Sequence, residues 1–305
     1  MNTPLKLAGF GLGLAAVFGA ALGLGAAVGP DDAAADTSGD AAHGAGRAGH
    51  AQGAGEDEEI PSAGASLPAG LQVTEDGYTF ELVQDATDAG AATPVSFRIL
   101  ADDGRPVTEF ALSHDEDLHL IAVRRDLAGF QHVHPTLGAD GVWTTPLELA
   151  PGSWRLFADF VPAADGENHI LGADLSVAGE FTPAPLAAPA ATAQVDGYTV
   201  VLHGALATGR ETNLTLSVSR DGVPVTDLQP YLGAYGHLVV LRSADLGYLH
   251  VHPLGEPGDP AVAPGPNVEF ATTAPSAGTY RLFLDFKHGD VVRTAAFTVT
   301  VEAGP

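Results

Sequence analysis

With 305 residues the chain has room for two ordinary domains, and 45% hydrophobic residues suffice to give each a core. A net charge of −25 excludes recognition of nucleic acid through its phosphates and leaves cations as the natural partners of the field. Cysteine is absent and the single Met is the initiator. Disulfides, thiolate redox chemistry and thioether sites for Cu(I) are therefore excluded, and any metal must be held by imidazole, carboxylate or water.

In chain order, Lys6 precedes an apolar run from Leu7 to Val28, which is followed by Asp31 and Asp32. The run is long enough to cross a bilayer as a helix. The flanking charges place the amino end inside and the rest outside. Residues 1–29 are read as a signal anchor, so the membrane is a partner through this helix. Ala33-Ala34-Ala35 offers a small-residue cleavage site, and a cleaved signal peptide with a secreted product stays open beside the anchor. Residues 30–67 are Ala, Gly and acid with almost no large apolar side chains. They cannot bury enough surface to fold and read as a disordered tether. His43 and His50 within it are assigned no role.

The remainder is a tandem repeat. Asp76-Gly77-Tyr78-Thr79 returns as Asp196-Gly197-Tyr198-Thr199, and the Asp103-to-Thr108 turn returns as Asp221 to Thr226. Gly152 to Phe160 returns as Gly278 to Phe286, with Arg-Leu-Phe-X-Asp-Phe shared. The repeats span 68–183 and 193–305, joined by a Pro/Ala-rich linker at 184–192 that is expected to be semi-stiff. Within each, short alternating runs such as Thr79-Phe80-Glu81-Leu82 are separated by Asp-Gly turn signals. The expected fold is all-β: two tandem immunoglobulin-like β-sandwiches of seven or eight strands each.

Each repeat carries three histidines at one spacing: His119, His132 and His134, then His237, His250 and His252. Residues i and i+2 of a strand share a face, so His132 and His134 point the same way. A two-residue turn at Arg125-Asp126 sets His119 opposite His132, and a four-residue turn sets it opposite His134. Either register leaves three imidazoles on one face. That arrangement suits a divalent ion held by imidazole. Asp159 and Asp285, on the next strong strand, are candidate fourth ligands; the alternative is that they pair with Arg155 and Arg281. His114, His169, His203 and His288 have no counterpart in the other repeat and are treated as incidental.

The two His-Leu plus Phe/Tyr-X-His-Val-His-Pro segments, each with its Arg-Leu-Phe-X-Asp-Phe, resemble exported bacterial heavy-metal or copper-binding β-sandwich domains of the YtkA-like and CopC-like immunoglobulin-fold group. The resemblance covers both repeats. It implies a periplasmic or cell-surface role in holding or delivering metal, often Cu(II). The absence of methionine clusters departs from carriers that handle Cu(I). The expected function is extracytoplasmic binding of Cu(II) or Zn(II), one ion per domain, for buffering, resistance or delivery. Two alternatives remain: a zinc hydratase or hydrolase using an open three-histidine site, and a structural surface module without metal. No general base shared by both repeats is seen within reach of the triad, and no substrate-pocket element is evident, so an enzyme is not expected.

Overall fold

Turn chemistry sets the local pairing. Asp76, Asp196 and Asp221 sit at φ of 49°, 47° and 51°, and Gly77, Gly197 and Gly222 follow at 86°, 81° and 79°. Positive φ at both central residues is the two-residue hairpin turn that Asp-Gly favours. Nothing lies within 4 Å of where a Cβ would stand on Gly197. Gly197→Ala therefore carries only the backbone penalty, and urea unfolding is expected to show a loss of about 1 kcal/mol.

The computed structural model describes Leu67–Ala303. The anchor and nearly all of the tether assigned from sequence lie outside the described residues. Among the described residues no helix is long and apolar enough to cross a membrane.

The first repeat contains β1 (Thr74–Glu75), β2 (Tyr78–Leu82), β3 (Ala86–Asp88), β4 (Gly90–Ala101), β5 (Phe110–Ala111), β6 (Leu118–Arg124), β7 (Gln131–Val133), β8 (Thr136–Leu137), β9 (Trp143–Leu149), β10 (Gly152–Pro162) and β11 (His169–Ala178). The second contains β12 (Thr192–Val195), β13 (Tyr198–His203), β14 (Glu211–Arg220), β15 (Val223–Pro224), β16 (His237–Arg242), β17 (Tyr248–Leu249), β18 (Val251–Pro253), β19 (Asn267–Thr273), β20 (Gly278–His288) and β21 (Val291–Val301). Each repeat is a two-sheet β-sandwich. Its sheets run β1-β2-β4-β9-β8 and β3-β11-β10-β6-β7 in the first, β12-β13-β14-β19-β18 and β17-β16-β20-β21 in the second. The strands outnumber the seven or eight expected because the chain breaks into two- and three-residue strands where it crosses between sheets, as at β7-β8 and β17-β18.

β9 alternates buried and exposed residues along its whole length, as a strand with one covered face must. β6 does not: Leu118 to Val123 are all buried. Leu118, Leu120 and Ala122 belong to the core of the first sandwich. Ile121 and Val123 point the other way, into a second apolar cluster with Leu127, Phe157 and Ile170 of the first repeat and Val239, Leu241, Leu246 and Phe283 of the second. The β6-β10 face of one sandwich is thus packed against the β16-β20 face of the other, within one compact unit.

The interface has an approximate two-fold relation. Phe130 stacks on Phe283 with ring centroids 4.0 Å apart, and the equivalent residues Tyr248 and Phe157 meet at 5.5 Å. Residue i of one repeat meets j of the other and j meets i, the pattern of a self-complementary contact. The linker lies on this frame. The Ala184 amide donates to Asp126 at 2.7 Å, and Ala190 bridges to Thr298.

Candidate metal centre

β7 returns along β6 with Leu120 opposite Val133 and Ile121 opposite His132. Continued by one step, this register sets His119 across from His134, the four-residue-turn alternative. On its other side His119 lies opposite Asp159 of β10. His119 shares the outward face of β6 with Ile121 and Val123. The histidines therefore occupy one end of the apolar interface.

One nitrogen from each of His119, His132 and His134 falls within 4.8 Å of the other two. The tautomers follow from their partners. His119 Nε2 is 2.8 Å from the Ser113 carbonyl, which can only accept, so Nε2 carries the proton. His132 Nδ1 is 2.9 Å from Asp285 Oδ2 and donates to it. In neutral rings His119 Nδ1 and His132 Nε2 are then both bare lone pairs, and they face each other at 3.1 Å. His134 Nε2 is buried without a hydrogen-bond partner, while its Nδ1 lies 3.7 Å from Glu116. Two lone pairs at 3.1 Å repel unless something positive sits between or beside them. A shared proton would satisfy that pair and leave His134 Nε2 unmatched. A cation held by all three satisfies the two facing lone pairs and His134 Nε2 together.

Electrostatics keeps His119 and His134 neutral. Burial, and then the His132 ring, holds His119 at about 3. Burial, and then His132, lowers His134 to about 4. Neutral imidazole is the form that binds metal.

The second repeat supplies groups to the same place. Asp285, 3% exposed, orients His132 and accepts from Thr294 Oγ1 at 2.5 Å through its other oxygen. A carboxylate behind a ligating histidine fixes its tautomer and raises its basicity. His237 stands with its ring centroid 6.0 Å from His132 and 6.3 Å from His119. It is held by Nε2 to the Leu232 carbonyl at 2.8 Å, and burial lowers it to about 4. The Tyr231 ring lies 6.3 Å from His134 and 6.1 Å from His237, and burial pushes its phenol up to about 12, so it stays protonated. A cavity of about 160 Å³ opens beside the cluster, lined among others by His114, His119, His132 and Asp159 of the first repeat and His237 and His250 of the second.

The second triplet is not gathered in the same way. β17 follows the register of β7, with Val240 opposite Leu249. The chain then leaves β16, and β18 pairs with β19 on the other sheet, with His252 opposite Ala271. His250 and His252 are exposed, their rings 4.3 Å apart, and His237 stays at the interface. Among the described residues the first triplet alone forms a metal-competent group. Each candidate carboxylate has its own hydrogen-bond partners. Asp285 serves a histidine of the other repeat, and Asp159 accepts from Asn168 Nδ2 at 2.6 Å. Neither takes the arginine alternative: Arg155 binds Asp174 and the carbonyls of Gly70 and Leu71, and Arg281 binds Thr298. His114, treated as incidental, lines the cavity, with its ring 4.9 Å from His237. Its place on the turn just before His119, beside Asp115, Glu116 and Asp117, is the sequence signal that points to it.

Two stretches, residues 72–179 and 193–303, match the family model described as domain of unknown function DUF8832. The chain belongs to that family. The two DUF8832 matches coincide with the two sandwiches. No curated protein sequence matches the chain. Among solved structures, a Salmonella alpha-2-macroglobulin is similar at 14% identity over 77% of this chain, with a TM-score of 0.25. The Escherichia coli adhesin FdeC is similar at 17% identity over 78%, with a TM-score of 0.23. A titin fragment is similar at 8% over 74%, with a TM-score of 0.19 and 97% of the fragment covered. The chain spans 15% of the macroglobulin's length and 66% of the adhesin's.

Proposed function

We propose that this DUF8832 protein is an extracytoplasmic divalent-metal-binding protein, holding Cu(II) or Zn(II) between its repeats for buffering, resistance or delivery. The observation that carries this reading is the convergence of three imidazole nitrogens within 4.8 Å, with the His119 and His132 tautomers set by Ser113 and Asp285. Imidazole suits both ions, and His132 already has the carboxylate partner that metal-bound histidines use. The net charge of −25 favours accumulation of cations at the surface. The apolar segment at residues 7–28 supports export and anchoring, and the resemblance to the YtkA-like and CopC-like group points the same way.

Elemental analysis of chain purified without a His tag or chelating resin, followed by calorimetric titration with Cu(II) and Zn(II), tests the proposal. One tightly held ion per chain is expected, with a melting temperature that climbs as metal is added. Metal-free protein that takes up neither ion tightly would leave the histidines as a structural interface cluster.

A further inference from the structure

We infer that His237 is the fourth ligand of the centre, so that a single ion bridges the two repeats. This rests on the metal-binding reading above and specifies how the site is completed.

The ring geometry gives the first reason. Two imidazoles on a tetrahedral ion with bonds of 2.0–2.1 Å have ring centroids about 5 Å apart. The three pairs within the triplet measure 5.0, 5.1 and 5.3 Å. They already have tetrahedral spacing, which leaves one coordination position. His237 lies beside two members of the triplet, at 6.0 and 6.3 Å, about 1 Å beyond the tetrahedral separation. Its nitrogens lie outside the group gathered within 4.8 Å, so ligation requires the interface to close on the triplet.

The donor atom gives the second. His237 Nε2 is engaged by the Leu232 carbonyl, as His119 Nε2 is by Ser113, so each ring is left with Nδ1 as its lone pair. The two rings are related by the approximate two-fold and are inclined by only 25°. The same nitrogen that places His119 in the triplet is thus the free one on its counterpart.

The competing donors fit less well. His114 is exposed on its turn, whereas His237 is held at the interface beside two members of the triplet. Asp159 is engaged by Asn168, and His252 belongs to the opposite sheet. A bridging ion would fasten the face that carries Phe130 on Phe283, and Asp285 would orient His132 from the same repeat as the fourth ligand.

X-ray absorption on the zinc-loaded full chain counts the imidazoles directly, and competition with a chelator gives affinity. The parent chain is expected to show four imidazole nitrogens. His237→Ala and the polar His237→Gln are expected to show three nitrogens and one oxygen, with zinc bound about 10- to 100-fold more weakly. His203→Ala, an exposed site on β13, is the control expected to match the parent. Circular dichroism identifies any variant that fails to fold, and the milder Gln variant then decides. Three imidazoles in the parent, unchanged in both His237 variants, would overturn the bridging ligand and leave the triplet site standing. Loss of the fourth imidazole in His114→Ala instead of the His237 variants would overturn it too. A parent chain that binds no zinc would remove both this inference and the function it rests on.

Discussion

The double variant His132→Ala/His134→Ala is expected to lose tight metal binding while keeping its fold. Groups that hydrogen-bond a metal's ligands typically contribute 10- to 100-fold in affinity, and a direct ligand contributes no less. Removing two of three should therefore weaken binding by at least about 100-fold. The fold should persist because β7 is short and the sandwich core is built from other residues, with Leu120, Trp154, Leu156 and Phe160 fully buried beneath it. Calorimetry with Zn(II) and Cu(II), beside circular dichroism for structure, checks both halves of the result. His250→Ala/His252→Ala is the informative comparison, since those rings are exposed and His252 hangs from the other sheet. It should retain the tight ion. A His132/His134 double variant that still binds with parental affinity would show that the triplet is not the site.

Metal-free chain is expected to lose stability steeply as pH falls from about 6.5 toward 4. In the unfolded chain each imidazole titrates near 6.5. In the folded chain burial lowers His119 to about 3, and His134 and His237 to about 4. Between those values the unfolded state binds more protons, so stability rises with pH and is fully present above about 6.5. Each strongly depressed ring contributes roughly 2 kcal/mol between pH 6.5 and 5. The rings are close enough to interact, so the sum is a few kcal/mol, not the full total. Urea midpoints at pH 7.5 and pH 5.0 measure it, in a range above the ordinary titration of carboxylates. His119→Gln should flatten the dependence. A midpoint unchanged between the two pH values would contradict the burial of neutral imidazoles at the interface. The same competition between protons and metal predicts that bound ion survives to lower pH than a site of exposed histidines would allow.

The sequence by itself determined the repeat, the all-β class and the hairpins, because these depend on local chemistry. Asp-Gly closes a two-residue turn wherever it sits between strands, and period-two alternation marks the covered face. It also placed His119, His132 and His134 on one face, since cross-strand partners share a face in either register that the turn permits. Which register forms was left open, and Ile121 opposite His132 settles it. What covers the histidine face was beyond local reasoning. Alternation reports that a face is buried without saying against what, and the relevant signal, the unbroken apolar runs Leu120-Ile121-Ala122-Val123 and Leu238-Val239-Val240-Leu241, marks burial on both sides without naming the partner. Tertiary packing supplied that partner: the other repeat. It joined His132 to Asp285 across the interface and brought His237 and His114 beside the first triplet. It also dispersed the second triplet, because the chain leaves β16 after Leu249 whereas its equivalent follows β6 through Val133. Identical histidine spacing thus yields one gathered cluster and one opened one, since strand pairing beyond the hairpin is decided by the sheet that receives the chain.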